Sequence, residues 1–296
     1  MEMNNAQNSE QNSSLVKRLA HESGFDLVGI AKYTPLGEEA EFLRQWIEDG
    51  KHAGMSWMSR TIHKRCDPEL VLKGCQSVIV VAVNYMQELD NEVENPPREQ
   101  LTPMGKVSRY AVLKDYHHEM GERMKQFCRE VKSALSDELQ MRWYVDTGPV
   151  MEKAWAKRAG IGFIGKNTCL INRQKGSWFF LGVVLTDLQL HPDQPETRHW
   201  CGDCVRCIEA CPTGALDEVG TLDAGKCISY LTIEHREDVA PALKPHFDGW
   251  LFGCDICQEV CPYNLKFSTN ASSPNFEQIT PSQLNLDEIL NIKDEE

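Results

Sequence analysis

The run PVMEKAWAKRAGIGFIGKNTCL, residues 149–170, decides between two architectures. Gly160, Gly162 and Gly165 satisfy G-x-G-x-x-G, the dinucleotide fingerprint. Gly160, Gly165 and Lys166 satisfy G-x-x-x-x-G-K-[ST] in all but its last place, where Asn167 stands. Both motifs need glycines that follow a strand and open a helix, so that backbone N–H groups at the helix start face a phosphate. Here the order is reversed. PVMEKAWAKRAG is amphipathic at helical spacing, with Pro149 near its first turn, so the glycines end a helix. Asn167 also lacks the hydroxyl that would hold magnesium. A nucleotide-binding fold is therefore not expected. The glycines either let backbone amides approach a bulky ligand, with Lys166, Asn167 and Thr168 adding polar reach, or simply stop a helix and admit a strand.

Around this run, helical and extended patterns alternate. Residues 13–25 have helical apolar spacing with Gly24 as a stop, and residues 25–33 read as a strand. EAEFLRQWIEDG is a second helix closed by Gly50. SVIVVAVNY, residues 77–85, is β-branched and nearly all apolar, as expected of a central strand buried on both faces. A polar, proline-bearing segment, residues 90–106, reads as a surface loop. A long helix is expected from Tyr116 to Leu135, a short strand over 142–147, and another strand in WFFLGVVLTDL. Asp115, His117 and Gly121 approximate a D-x-H-x-x-G cobalt-ligating signature, but Met120 stands where its glycine belongs. His117 and His118 read instead as the opening of the long helix, with Asp115 as a first-turn or capping acid.

Residues 1–14 read as a frayed polar start, 15–190 as one α/β or α+β domain, 191–267 as a small cysteine-rich domain after a two-proline linker, and 268–296 as a polar tail. No export signal is evident, and the longest strongly apolar run, WFFLGVVL, falls far short of the roughly 20 residues of a membrane span. A soluble, cytoplasmic monomer is expected. The net charge of −13 argues against a surface that coats nucleic acid. Between Glu152 and Lys175, however, six cations face a single acid, which suits either a phosphate-bearing ligand or a solvated helix face.

Of the 12 cysteines, Cys66, Cys75, Cys128 and Cys169 are scattered and read as small buried apolar residues. The others are concentrated. Cys201, Cys204, Cys207 and Cys211-Pro212 form C-x2-C-x2-C-x3-C-P, the bacterial ferredoxin run, whose fourth cysteine ligates the other cluster in two-cluster proteins. Cys254, Cys257 and Cys261-Pro262 repeat its back half, and Cys227 completes a set of eight. The crossed pattern assigns Cys201, Cys204, Cys207 and Cys261 to one 4Fe-4S cluster, and Cys211, Cys227, Cys254 and Cys257 to another. Structural zinc is the weaker alternative. A ferredoxin needs little else, so the preceding 190 or so residues imply a reductase with its own second cofactor.

Together, VDTGPVMEKAWAKRAGIGFIGKNTCL, GSWFFLGVVLTDL, CGDCVRCIEACPTGAL, KCISYLTIEHR and FGCDICQEVCPYN resemble the epoxyqueuosine reductase family. SRYAVLKDYHHEM and RTIHKRCDP with GCQSVIVVAVNY extend the resemblance over roughly residues 15–267. It implies a nitroreductase-like cobalamin-binding α/β domain followed by a ferredoxin-like two-cluster module, α+β in class. It also implies reduction of epoxyqueuosine at the wobble position of tRNA to queuosine, by low-valent cobalamin reduced through two 4Fe-4S clusters supplied by an external low-potential electron donor. Asp146 in VDTGP stands at the family's proton donor, a role that needs a raised pKa; its offset from Pro149 also permits a helix cap. The resemblance places cobalamin contacts at Arg60, Asp146, Lys166, Asn167, Thr168, Leu170 and Ser229. Longer relatives continue into a basic C-terminal region that helps hold tRNA, whereas this chain ends in acidic sequence, which implies weaker RNA affinity or a shortened chain. The rival readings are a dehalogenase-like cobalamin reductase of a small molecule and a two-cluster electron-transfer protein.

Overall fold

The computed structural model describes residues 2–89, 104–217, 220–271 and 276–292. From the N-terminus, α1 (Glu2–Glu22) leads through β1 (Leu27–Lys32), α2 (Glu38–Glu48), α3 (Ser56–Arg60) and α4 (Ile62–Cys66) into β2 (Ser77–Asn84). β3 (Met104–Val107), α5 (Tyr116–Leu135) and β4 (Met141–Tyr144) precede α6 (Glu152–Arg158). The hairpin of β5 (Phe163–Ile164) and β6 (Leu170–Ile171) then leads to β7 (Phe179–Thr186). The cysteine-rich part holds α7 (Arg206–Ala210), α8 (Ile228–Ile233), β8 (Trp250–Phe252), α9 (Ile256–Glu259) and α10 (Pro262–Phe267). β9 (Gln283–Asn285) and α11 (Leu286–Leu290) follow.

The main sheet has the order β1-β2-β7-β4, and every neighbouring pair is antiparallel. Every residue of β2 is buried, because helices cover both sheet faces. On one face Ile79, Val81 and Val184 meet Val16 and Ala20 of α1 and Met120, Met124 and Phe127 of α5. On the other, Val78, Val80 and Leu185 meet Ala40 and Leu43 of α2 and Trp155 of α6. A strand sandwiched in this way must be apolar at successive positions, which is why its sequence lacks alternation. Each large side chain enclosed there contributes about 1.5–3 kcal/mol of transfer free energy. Gly29 of β1 lies so close to Ala159 at the end of α6 that a Cβ would collide with the Ala159 carbonyl. Among the described residues, no helix is long and apolar enough to cross a membrane.

Three sequence expectations change. The frayed start is helical from Glu2, because helix propagation from the buried Val16–Ala20 face adds one hydrogen bond for each residue fixed. The Ser13 hydroxyl accepts from the His191 amide (2.7 Å) and anchors this helix to the linker. The linker itself is tied down: the Asp193 carboxylate accepts from the Ile30 amide at 2.8 Å and pairs with Lys17. The C-terminal tail is not featureless, since β9 pairs antiparallel with β3 and Phe276 enters the core. Of the expected loop at 90–106, residues 90–103 lie outside the described residues, and Met104 opens β3.

The Phe276 ring meets Phe180 edge-on at 5.0 Å, and the Arg123 guanidinium lies 5.7 Å over it. Phe276→Ala is therefore expected to lower unfolding free energy by about 3–5 kcal/mol in denaturant titrations. A loss below about 1 kcal/mol would show that the tail does not belong to the core.

Candidate functional site

The sulfur ligands are delivered by short turns and helix ends. Cys207 lies within α7 and Cys211 caps its C-terminus; Cys227 and Cys261 are the N-caps of α8 and α10. At an N-cap the side chain faces free amides. Neither Cys227 nor Cys261 makes a side-chain cap hydrogen bond, but the amides of Ser229 and Tyr230, and of Tyr263 and Asn264, partly offset the rise that burial imposes on the two thiols. Cys211 Sγ accepts from the Ala215 amide at 3.3 Å. Cys201 Sγ accepts from the Lys166 amide at 3.5 Å. Such N–H···S bonds favour thiolate over thiol.

Two groups of sulfur result. Cys201, Cys204, Cys207 and Cys261 line one cavity of about 450 Å³. Burial pushes the Cys207 thiol up to about 11, and the charges of Cys201, Cys204 and Cys261 add to the effect. In the second group burial pushes Cys254 up to about 12, with Cys227 and Cys211 adding to it. Cys257 is held well above the usual thiol range by a hydrogen bond shared with Cys169, by burial, and by Cys254 and Cys227. Thiols crowded so that each opposes its neighbours' ionisation are what a polynuclear cation would stabilise as thiolates. Among the described residues no three His, Cys, Asp or Glu side chains converge as ready ligands of one metal ion, so the grouping rests on the shared cavity and on mutual electrostatics. Cys66, Cys75 and Cys128 are buried as expected; Cys169 is not a packing residue but abuts the second group.

The Asp146 site lies where β4 ends. Asp146 takes left-handed backbone (φ 57°) and is exposed. The following Gly148 packs on the Tyr144 ring so closely that a Cβ would collide with it. The N-terminus of α5 meets this loop: the Tyr116 hydroxyl donates to Asp146, and His117 Nε2 lies 3.4 Å from Asp146 Oδ2. Asp115 is the N-cap of α5 and accepts from the His117 amide and Nδ1, both at 2.9 Å, so His117 is held by a helix cap on one side and faces Asp146 on the other. Tyr116 is clamped by stacking on Phe180 at 4.3 Å. Asp146 does not cap the next helix, whose N-cap is Met151; Pro149 precedes α6 rather than standing in its first turn.

Beside Asp146, Glu152 opens α6 with its carboxyl end enclosed and Oε1 unpartnered. Burial pushes its carboxyl up to about 7, Asp146's charge adds to this, and Arg65 and Lys153 oppose it. Arg65 donates to the Val150 carbonyl at 3.2 Å and is itself lowered by burial, with Glu152 and Asp146 opposing. Neither residue was singled out in the sequence; a lone glutamate at a helix start carries no local sign of enclosure.

The glycine loop joins the two regions. Lys166 donates from Nζ to the Gly202 carbonyl (2.9 Å), and the buried Asn167 donates to the Cys257 carbonyl (3.2 Å) and accepts from the Cys169 amide (3.2 Å). Thr168 holds left-handed backbone (φ 61°), uncommon for a β-branched residue and a mark of imposed strain, and its carbonyl accepts from Lys153 (2.9 Å). Leu170 is core. Ser229 is half-buried on α8, and Arg60 is exposed at the end of α3. Lys166, Asn167, Thr168 and Leu170 thus share one loop, while Arg60, Ser229 and Asp146 come from separate elements.

A helix-covered antiparallel sheet followed by a cysteine-rich part is the setting, and likeness to known proteins makes the chain an iron–sulfur oxidoreductase. A family model described as a 4Fe-4S double cluster binding domain matches residues 200–264, and one described as epoxyqueuosine reductase QueG matches residues 65–147. The epoxyqueuosine reductase of Cyclobacterium marinum is 41% identical over 257 residues, covering 86% of this chain and 80% of the relative. That of a Synechocystis species is 43% identical over 254 residues, covering 84% of each. The chain belongs to the epoxyqueuosine reductase family. Among solved structures, an epoxyqueuosine reductase with an epoxyqueuosine-modified tRNA-Tyr stem loop matches with a TM-score of 0.84 at 29% identity, over 97% of this chain and 74% of that one. The Bacillus subtilis enzyme, with its aspartate catalytic loop swung out of the active site, gives 0.83 at 27%, over 96% and 74%. In fold alone, a reductive dehalogenase described in terms of B12-dependent dehalogenation matches with a TM-score of 0.51 at 16% identity, over 88% of this chain and 33% of that one.

Because the Glu152 carboxyl is raised from 4.5 to about 7, folding favours its protonated form. Its stabilising contribution is complete below about pH 4.5 and is lost as pH rises through about 7, a span worth about 3 kcal/mol. Unfolding midpoints should fall between pH 5 and 8 in the parent chain, and Glu152→Gln should flatten that fall. An unchanged slope would place the charge elsewhere.

Proposed function

We propose that this chain reduces epoxyqueuosine at the wobble position of tRNA to queuosine. The observation that carries the reading is the 41% identity to an epoxyqueuosine reductase over 86% of this chain, with a 4Fe-4S double cluster binding segment at residues 200–264. The stem-loop complex of a relative at 29% identity supports tRNA as substrate. Removing an epoxide oxygen as water consumes two electrons and two protons.

The division of labour follows the chain. Residues 15–190 form the catalytic domain, nitroreductase-like in type, and residues 191–267 the iron–sulfur domain. The two 4Fe-4S clusters, when bound by the assigned cysteines, supply electrons singly. Cobalamin, when bound, supplies a low-valent metal able to deliver the electron pair to the epoxide. The dehalogenase likeness supports this cofactor through shared fold. The residues fit it unevenly: Arg60, Thr168 and Ser229 have accessible side chains, whereas Lys166 and Asn167 are engaged with Gly202 and Cys257 and shape the loop.

The proton chemistry rests on Asp146, which gives a proton to the opened oxygen. Tyr116 and His117 orient its carboxylate, and the strained backbone at Asp146 turns it away from its own chain. Loss of the oxygen as water needs acid again, and Glu152 is the neighbouring carboxyl held protonated up to about pH 7.

Asp146→Ala is expected to keep iron and cobalamin while turnover on epoxyqueuosine-bearing stem loop falls roughly 10²–10⁴-fold. Full activity in that variant would refute the proton-donor role. The ligand pairing has its own check. The anaerobic chain should hold about eight iron. Cys201→Ala with Cys261→Ala should lose about four, as either alone does, whereas Cys201→Ala with Cys257→Ala should lose nearly all. Equal loss in the two double variants would overturn the crossed assignment.

A further inference from the structure

The cavity of the first sulfur group opens onto a basic island in a chain of net charge −13. Lys166, Arg173 and Lys266 line it, and no carboxylate does among the described residues. Aromatic rings lie beside Arg173 and Lys266, while Lys166 donates to the Gly202 carbonyl. The Arg173 guanidinium lies 3.6 Å over the Trp200 ring, with Arg198 5.4 Å from the same ring, and Lys266 lies 5.1 Å from Phe267. Stacking of this kind restricts rotamers while leaving the charge facing water. Leu265, 67% exposed, adds an apolar contact at the rim. The nearby acids are Asp203, exposed between Cys201 and Cys204, Glu196, whose carboxyl is lowered in part by Arg173 and Arg198, and Glu209 and Glu259, which line a second depression with Leu265 and Arg206.

The island lies at the outer end of the sulfur arrangement. The second group lies against the glycine loop and the main domain. Cys257 adjoins Cys169 and Asn167, and Asp255 between Cys254 and Cys257 is buried and accepts from the Arg109 amide at 2.6 Å. The Tyr110 ring meets Tyr116, whose neighbour His117 faces Asp146, at 6.2 Å and Phe252, two residues before Cys254, at 6.5 Å, which puts Cys254 toward the Asp146 side.

We propose that this face docks an acidic one-electron carrier protein, which discharges into the first sulfur group's cluster. The proposal rests on the iron–sulfur reading above. An acidic carrier is repelled by most of this chain, so a cationic island beside the outermost redox site steers it to a productive orientation. A few cations around aromatic and aliphatic contacts suit the small interfaces of transient redox partners, below about 1,200 Å². Each encounter oxidises the carrier by one electron and reduces the chain by one. Two encounters match the two electrons that loss of an epoxide oxygen as water consumes, with both protons coming from the Asp146 side.

The test uses the reconstituted full chain and a reduced bacterial flavodoxin, following the bleaching of visible iron–sulfur absorbance by stopped flow. The second-order rate constant should fall about tenfold between roughly 0.05 and 0.5 M salt. Arg173→Glu with Lys266→Glu should slow it at least about tenfold at low salt, while Arg173→Lys with Lys266→Arg stays within about twofold. Methyl viologen radical, a small cation, should reduce the charge-reversed chain at least as fast as the parent, showing that its clusters are intact. Affinity for the modified stem loop should not change. A flavodoxin rate indifferent to charge reversal overturns the proposal. So does a loss of RNA affinity with the flavodoxin rate preserved, which would make the island an RNA surface. A parent chain that takes up no iron would instead sink the underlying iron–sulfur reading.

Discussion

Eight thiols drawn into two small volumes repel one another's ionisation, and that constraint governs the rest of the molecule. Burial and neighbouring sulfur raise Cys207 and Cys254, and a hydrogen bond with Cys169 together with burial raises Cys257, so these thiols stay protonated unless bound positive charge favours the thiolates. Folding of the cysteine-rich part is thereby coupled to metal, as in other small metal-stapled domains. Helix ends do the local work. Cys227 and Cys261 stand at N-caps, where free amides meet sulfur, and Pro262 starts α10 without losing a needed donor.

A relay of this kind is useful only if held rigidly against the domain it serves, and the contacts between the two are polar and specific. Asn264 accepts from the Ser177 amide at 2.6 Å while its own amide donates to Ser177 Oγ (2.9 Å) and the Gln258 carbonyl (2.8 Å). Trp46 donates to the Leu222 carbonyl at 2.6 Å, and the Tyr230 hydroxyl accepts from the Gly54 amide at 2.8 Å. β8, from the cysteine-rich part, pairs with β3. Buried bonds of this type are expensive to leave unmade, so they fix one docking geometry rather than a loose tether.

The Asp146 site shows how a sheet end and a helix start combine. β4 brings the chain out of the core, the left-handed turn at Asp146 redirects it, and α5 presents Tyr116 and His117 from its capped first turn. The sheet supplies rigidity while the loop carries the carboxylate proposed as proton donor, the usual division between scaffold and site. Glu152, enclosed one element further on, adds a second carboxyl of different character, because burial dominates its protonation.

Local pattern was enough for much of this. Periodicity located β2 and α5, and the helix-before-glycine order excluded a nucleotide fold. Cysteine spacing marked out residues 201–261, within the segment that a 4Fe-4S double cluster binding model matches. What only the tertiary structure decided depends on residues distant in the chain. Phe276 becomes core by meeting Phe180, Cys169 becomes part of the redox region by meeting Cys257, and Asp146 acquires Tyr116 and His117 from another element. The enclosure of Glu152, beside Asp146 and Arg65, likewise has no counterpart in its own flanking residues. Spacing along a chain encodes what one turn or strand can bring together; it carries no record of which turns will meet, and that is settled by how the sheet faces and helix ends pack.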